Sequence, residues 1–428
     1  MMKTTYKDNE KKEKIREETV SKRDYIWNTA AGLLNASEAV LMSMLVTRVT
    51  GLEDAGILTI AFATANLLAA IGKYGVRNYQ ITDQGNYSFH VYFRLRVVTV
   101  VSMILISIVC ALYGVFMRGD SVYKMGTVLL MCMIFAVEAF EDVYWGLYQK
   151  NGRLDTGAKM FVLRWSGILL TYLVLLPFTR NLFRTTAAAL LVSLTLFLVC
   201  KYRTYPRFRQ ESEKVYPKNI VSLGKECLPL CLMGFMTFYI SNAPKYSIDV
   251  YMTEQDTACW GFVSMPVFVV GLLSSFLYQP IIVSIAAAWR EGRYEQIVRK
   301  IKTQTGIILL LTCLCVMGAY LLGVPVLSLL YHTDLTAYRT ELLLLVGGGG
   351  VLASVSFFVV ILTVMRLQRY IIIGYGAGAI LSLCMFPVVV RTWGSFGAAV
   401  CYGGIMLLLA VMFGTIVIKN IHMHAQKI

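Results

Sequence analysis

Ionisable side chains stand inside four long apolar runs of this chain, at spacings that belong to helices. A charge at the centre of a bilayer costs on the order of 2.5 kcal/mol or more, so each of them needs a partner, a ligand or water. Asn66, Ala70, Lys73 and Arg77 recur at four, three and four residues and define one polar stripe on a helix. Two cations one turn apart call for an anion, and phosphate suits a guanidinium fork beside an ammonium point charge. The plain alternative is that both snorkel to the headgroups. Asn242, Lys245 and Asp249 share another face beside Pro244, with Tyr239 one turn earlier. There Lys245 either meets a ligand anion or pairs with Asp249. Glu138, Glu141 and Asp142 crowd three acids into one and a half turns. That arrangement suits proton or sodium coupling, and equally a counter-charge for the basic stripe. Glu38, one turn after Asn35, is the remaining candidate coupling carboxylate.

Other chemistries find little support. The four histidines (His90, His332, His422 and His424) fall in expected loops or the tail, and the ten cysteines lack the spacing of a metal site. No nucleotide-binding loop occurs. The expectation is therefore no catalytic residue, no metal and no cofactor beyond a coupling proton or sodium ion.

The elements that must position these residues are about a dozen apolar stretches, most of them about 18 to 25 residues long, enough to cross a bilayer as helices. Hydrophobic residues form 57% of the 428 and charged ones 15%, with a mean hydropathy of +0.63. Spans are expected at 25–49, 56–80, 97–117, 125–148, 161–179, 185–200, 226–248, 259–287, 304–330, 341–364, 371–390 and 395–418. Residues 1–24, with eight Lys or Arg, read as a cytoplasmic arm rather than a leader peptide. Of the 40 Lys and Arg, thirty fall to inner segments, counting Arg164 with the loop before the fifth span. Only seven fall to outer ones: Arg48, Arg118, Lys124, Arg180, Arg184, Arg339 and Arg391. This bias puts both termini in the cytoplasm. It also makes the formal charge of +15 topological, which argues against nucleic acid as a partner.

The segment 201–225 divides the spans into an N-lobe (25–200) and a C-lobe (226–418), followed by a tail, 419–428. Arg48–Gly56 and Asp249–Ala258 resemble each other weakly at an offset of about 200 residues. With six spans in each half, the repeat is parallel. The expected architecture is an all-α membrane protein with two six-helix lobes around a central cavity, working by alternating access.

Four motifs, Tyr25-Ile-Trp-Asn-Thr, Thr47–Gly56, Tyr74–Gln80 and Ser241–Asp249, resemble bacterial polysaccharide flippases of the multidrug/oligosaccharidyl-lipid/polysaccharide exporter superfamily. The likeness covers essentially the whole chain. It implies a cationic cavity that takes the head of a polyprenyl-diphosphate-linked oligosaccharide while the lipid tail stays in the bilayer. In the related lipid II flippases, basic residues on the first, second and seventh helices line that cavity, and the matching positions here are Arg48, Arg77 and Lys245. The resemblance also implies the bacterial cytoplasmic membrane as location, membrane lipids as surroundings and glycan-assembly enzymes as partners. An ion-coupled multidrug antiporter of the same superfamily is the alternative, though it would want an acidic cavity. A membrane glycan polymerase or glycosyltransferase is a third reading. The short outer loops count against it, with Glu53-Asp54 as its one hint.

Overall fold

An apolar segment in hydrocarbon can satisfy its amides only by bonding them internally, which makes it a helix. The computed structural model describes residues 2–83, 86–208 and 217–426, and of residues 2–21 and 217–218 it describes the backbone alone. Thirteen α-helices run in order: α1 Met2–Val49, α2 Leu52–Lys73, α3 Val76–Thr82, α4 Phe89–Tyr113, α5 Val122–Lys150, α6 Leu154–Thr179, α7 Leu182–Thr204, α8 Pro217–Tyr251, α9 Glu254–Arg290, α10 Tyr294–Gly318, α11 Val324–Tyr331, α12 Arg339–Val364 and α13 Gln368–Ala425. Among the described residues there is no strand. The expected arm is helical backbone continuous with the first span. Residues 209–216 of the expected linker lie outside the described residues.

Among the described residues, eleven helical segments are long and apolar enough to cross a membrane. The last has 58 residues, about 87 Å of helix, far more than the ~30 Å of hydrocarbon it must span. It breaks at Gly394, with φ 59° and ψ −144°, a conformation essentially reserved for glycine. Residues 368–393 and 395–425 are thus separate passes. The chain is an all-α, multi-pass membrane protein with about twelve transmembrane helices.

Two expected spans differ in detail. Regular spacing predicts a second span continuous through residue 80, but Tyr74 and Gly75 are left-handed, with φ 51° and 66°, and end α2. Gly75 is the glycine that commonly stops a helix this way. The ninth is interrupted by a π-helical turn, Ala319–Gly323, before α11 starts with Pro325 in its first turn. A matching π turn, Gly114–Arg118, ends α4. The two turns begin at Gly114 and Ala319, 205 residues apart.

The chain forms two compact units, residues 1–45 with 64–231, and residues 46–63 with 232–428. The first unit is built on α5, which packs against α3, α4, α6 and α7. One end holds an aromatic core of Phe89, Tyr92, Tyr144, Tyr148 and Phe197. The second unit is built on α12, which packs against α9, α10 and α13. Its run Gly347–Gly350 permits this closeness: an added Cβ would stand 3.2 Å from Tyr402 at Gly348, 3.2 Å from Val267 at Gly349 and 2.0 Å from Thr312 at Gly350. In the same unit the start of α2 meets the start of α9, where a Cβ on Gly56 would strike the carbonyl of Glu254.

Candidate functional site

The acids of α5 form the centre of a buried charge cluster in the first unit. Glu138 and Asp142 stand one helical turn apart, and each meets one of two cations four residues apart in sequence, Lys73 and Arg77. Lys73 Nζ lies 2.8 Å from Glu138 Oε1, and Arg77 Nη1 lies 3.7 Å from Asp142 Oδ1. The break at Tyr74–Gly75 separates the two cations onto α2 and α3, so the expected continuous stripe is corrected here.

Two further arginines complete the cluster, and sequence alone places both with the inner-loop charges. Arg164 of α6 is 1% exposed and bridges two acids: Nη2 donates to Glu138 Oε2 at 2.9 Å and Nε to Glu141 Oε2 at 2.7 Å. Trp165 Nε1 also donates to Glu138 Oε2, at 2.8 Å. Arg96 of α4 is fully buried and donates to Asp142 Oδ2 at 2.7 Å and to the Gly72 carbonyl at 2.6 Å. The Gly72 carbonyl is left open because α2 stops, so the break creates an acceptor that Arg96 and Thr99 Oγ1 share.

Arg77 is held on three sides. It donates to Gln149 Oε1 from Nη2 at 2.9 Å and Nε at 3.3 Å, and its guanidinium lies 4.0 Å over the Trp145 ring. The ring has room because residue 157 is glycine, where a Cβ would come within 2.1 Å of it. Glu38 of α1, 5% exposed, lies in the electrostatic field of Glu138, Arg164 and Lys73. Its Oε2 and the Oε1 of Glu141 are buried without a hydrogen-bond partner.

The cluster thus holds four acids (Glu38, Glu138, Glu141, Asp142) and four bases (Lys73, Arg77, Arg96, Arg164). Balanced charges at close range offset part of the desolvation that burial imposes, and removing any member leaves its partner uncompensated. Such an array can take up a proton on one of its acids or release a cation from its carboxylate to a ligand anion. Arg96 and Arg164 are legible only in part: three acids on one turn need more cations than the second span supplies, and Arg164 stands inside its own apolar run.

The remaining candidates sit elsewhere. Asn66 on α2 is half-buried and engaged. Arg48, at the end of α1 in the second unit, donates to the Leu329 and Leu330 carbonyls at 3.3 and 3.1 Å, capping the C-terminus of α11. On α8, Tyr239 stacks on Tyr246, whose hydroxyl donates to the Ala63 carbonyl at 2.8 Å. Asn242 donates to the Phe238 carbonyl of its own helix at 3.0 Å. Lys245 is half-buried, and among the described residues no acid forms an ion pair with it, so the expected alternative pairing with Asp249 is absent. Asp249 is itself engaged.

No family model and no curated protein sequence matches this chain. Its fold does match solved structures. The lipid II flippase MurJ, in an inward closed conformation, superposes with a TM-score of 0.70 at 12% identity, covering 94% of this chain and 90% of that one. The MATE multidrug transporter DinF-BH gives 0.66 at 10% identity over 94% and 95%. An inward-facing multidrug resistance MATE family transporter of the MOP superfamily gives 0.65 at 12% identity over 91% and 96%. The chain is similar to these proteins in fold.

Proposed function

We propose that this chain is a transporter of the multidrug/oligosaccharidyl-lipid/polysaccharide exporter superfamily. In this reading it carries a polyprenyl-diphosphate-linked oligosaccharide across the bacterial cytoplasmic membrane by alternating access, for surface polysaccharide assembly. The observation that carries the proposal is Lys245, a half-buried ammonium at membrane depth with no acid paired to it among the described residues. An intramembrane cation left without an acid is a site for an anion brought by a ligand. A diphosphate supplies that anion, and a lysine receives it as a point charge. Tyr239 and Asn242, within two turns on the same helix, are suited to sugar hydroxyls.

Lys73 and Arg77 join the binding set by exchange, since a diphosphate arriving at their end of α2 and α3 substitutes for Glu138 and Asp142. Asn66 lies two turns before Lys73 on the sugar side. Arg48 is left out, because its Nη2 already caps α11. Glu38 supports coupling to a proton: a buried carboxylate with one unmet oxygen, next to a balanced cluster, gains a hydrogen-bond donor when protonated. Glu138, Glu141, Asp142 and Asp249 are its relay or sodium-ligand candidates.

The same unmet oxygen of Glu38 also favours the second reading, an ion-coupled multidrug antiporter. One experiment separates the two. Lys245→Ala is expected to abolish surface glycan while the protein stays in the membrane and lipid-linked repeat units accumulate on the inner leaflet. Lys245→Arg is expected to retain part of the export. Normal glycan in a deletion strain, together with altered dye resistance, sinks the flippase reading and leaves the antiporter.

A further inference from the structure

The second unit contains a cavity of about 420 Å³ lined by Ile281 of α9 and by Gln296, Arg299, Lys300, Thr303 and Gln304 of α10. That volume falls in the range of small-molecule sites. Gln304 is 1% exposed, and neither its amide oxygen nor its amide nitrogen has a hydrogen-bond partner. Leaving a buried amide unmet is costly, on the order of 1–3 kcal/mol per group, so a polar ligand at this point satisfies what the fold does not. Among the described residues no acid forms an ion pair with Arg299 or Lys300, and no Asp or Glu lines the cavity. Two cations, a hydroxyl and two amides facing one space fit a phosphate ester.

The surroundings supply the second half of the ligand. Five basic residues, Arg290, Arg293, Arg299, Lys300 and Lys302, lie within the stretch 290–302 against two acids, Glu291, which pairs with Arg293, and Glu295. Beyond it α10 presents an exposed apolar face of Ile307, Leu309, Leu310, Leu314 and Met317. The cavity stands at the junction of the two. A head that is anionic and a tail that is hydrocarbon would each find its medium there.

We propose that this cavity binds the phosphate headgroup of an anionic phospholipid, with its acyl chains lying along the exposed face of Val283, Ile307 and Leu310. The cavity shares no residue with the charge cluster or with the Lys245 site. It stands whether the cargo is a glycan lipid or a drug.

The test is native mass spectrometry on the full-length protein in detergent, titrated with phosphatidylglycerol and with phosphatidylcholine of the same chains. The wild type is expected to retain phosphatidylglycerol preferentially. The double variant Arg299→Ala/Lys300→Ala should weaken that retention about twenty-five-fold, each cation being worth about a factor of five at an anionic surface. Gln304→Leu should weaken it severalfold while the melting temperature stays equal or rises, because a buried unmet amide is removed. Equal retention of the two lipids by the wild type overturns the proposal, as does an unchanged preference in both variants. Inorganic phosphate at matched concentration should fail to displace the lipid; if it displaces it, the site is one for soluble phosphate and the lipid assignment falls.

Discussion

At the scale of single residues, the first unit hangs on Arg164. It pairs with Glu138 and Glu141 at once, so Arg164→Met leaves Glu141 uncompensated and Glu138 with Lys73 alone, and is expected to destabilise the protein by about 3–5 kcal/mol. Thermal melts in detergent check this, and Glu141→Gln in the same chain should recover part of the loss through coupling between contacting sites. Asp83, beyond the end of α3, gives a pH prediction. Burial pushes its carboxyl up, but the Tyr92 hydroxyl, the backbone N–H groups of Asn86 and Tyr87 and the nearby Lys150 ammonium outweigh that and hold it below the usual carboxylate range. Its contribution is therefore whole above the unfolded value near ~4 and is lost as pH falls through the lower folded value. Asp83→Asn should flatten the acid side of a stability-versus-pH curve; an identical curve would remove Asp83 from the account. Helical spacing alone makes Lys73, Arg77, Glu138, Glu141 and Asp142 visible in the sequence. It hides Arg96, because two basic residues at the edge of a span look the same whether they face headgroups or a buried acid.

At the scale of elements, the two units solve the same packing problem by different means. α5 gathers its neighbours through acids that meet cations from α2, α3, α4 and α6, whereas α12 gathers its own through glycines that remove side chains altogether. Gly350→Ala puts a methyl 2.0 Å from the Thr312 hydroxyl, and such overpacking should cost about 1–3 kcal/mol. A melt indistinguishable from wild type would show that α10 can shift freely there. Gly394→Ala should be at least as harmful, because a side chain at that φ and ψ is strained whatever the space around it. Apolar length and composition make the passes legible, including the division of the last long stretch. Interruptions inside passes are less so. The π turns carry no residue signature, since helix geometry of that kind depends on one extra residue rather than on residue type. The stop at Gly75 is written as a glycine, but the regular spacing of Asn66, Lys73 and Arg77 masks it.

At the scale of the whole molecule, the distribution of Lys and Arg predicts orientation, and thiol labelling tests it. In a chain stripped of its ten cysteines, Val122→Cys and Tyr202→Cys report opposite ends of the passes; the native side chains are 73% and 83% exposed. A membrane-impermeant maleimide should label the first in intact cells and the second only after permeabilisation; the reverse pattern would invert the topology. The π turns at Gly114 and Ala319 occupy corresponding places along the two halves. Bulges of this kind are rare and cluster at functional sites. One falls within the third pass of each half, which fits a parallel repeat of two six-pass halves. The halves share the bulge but not their buried polar chemistry, so transplanting α5's acids onto α12 should destabilise the fold.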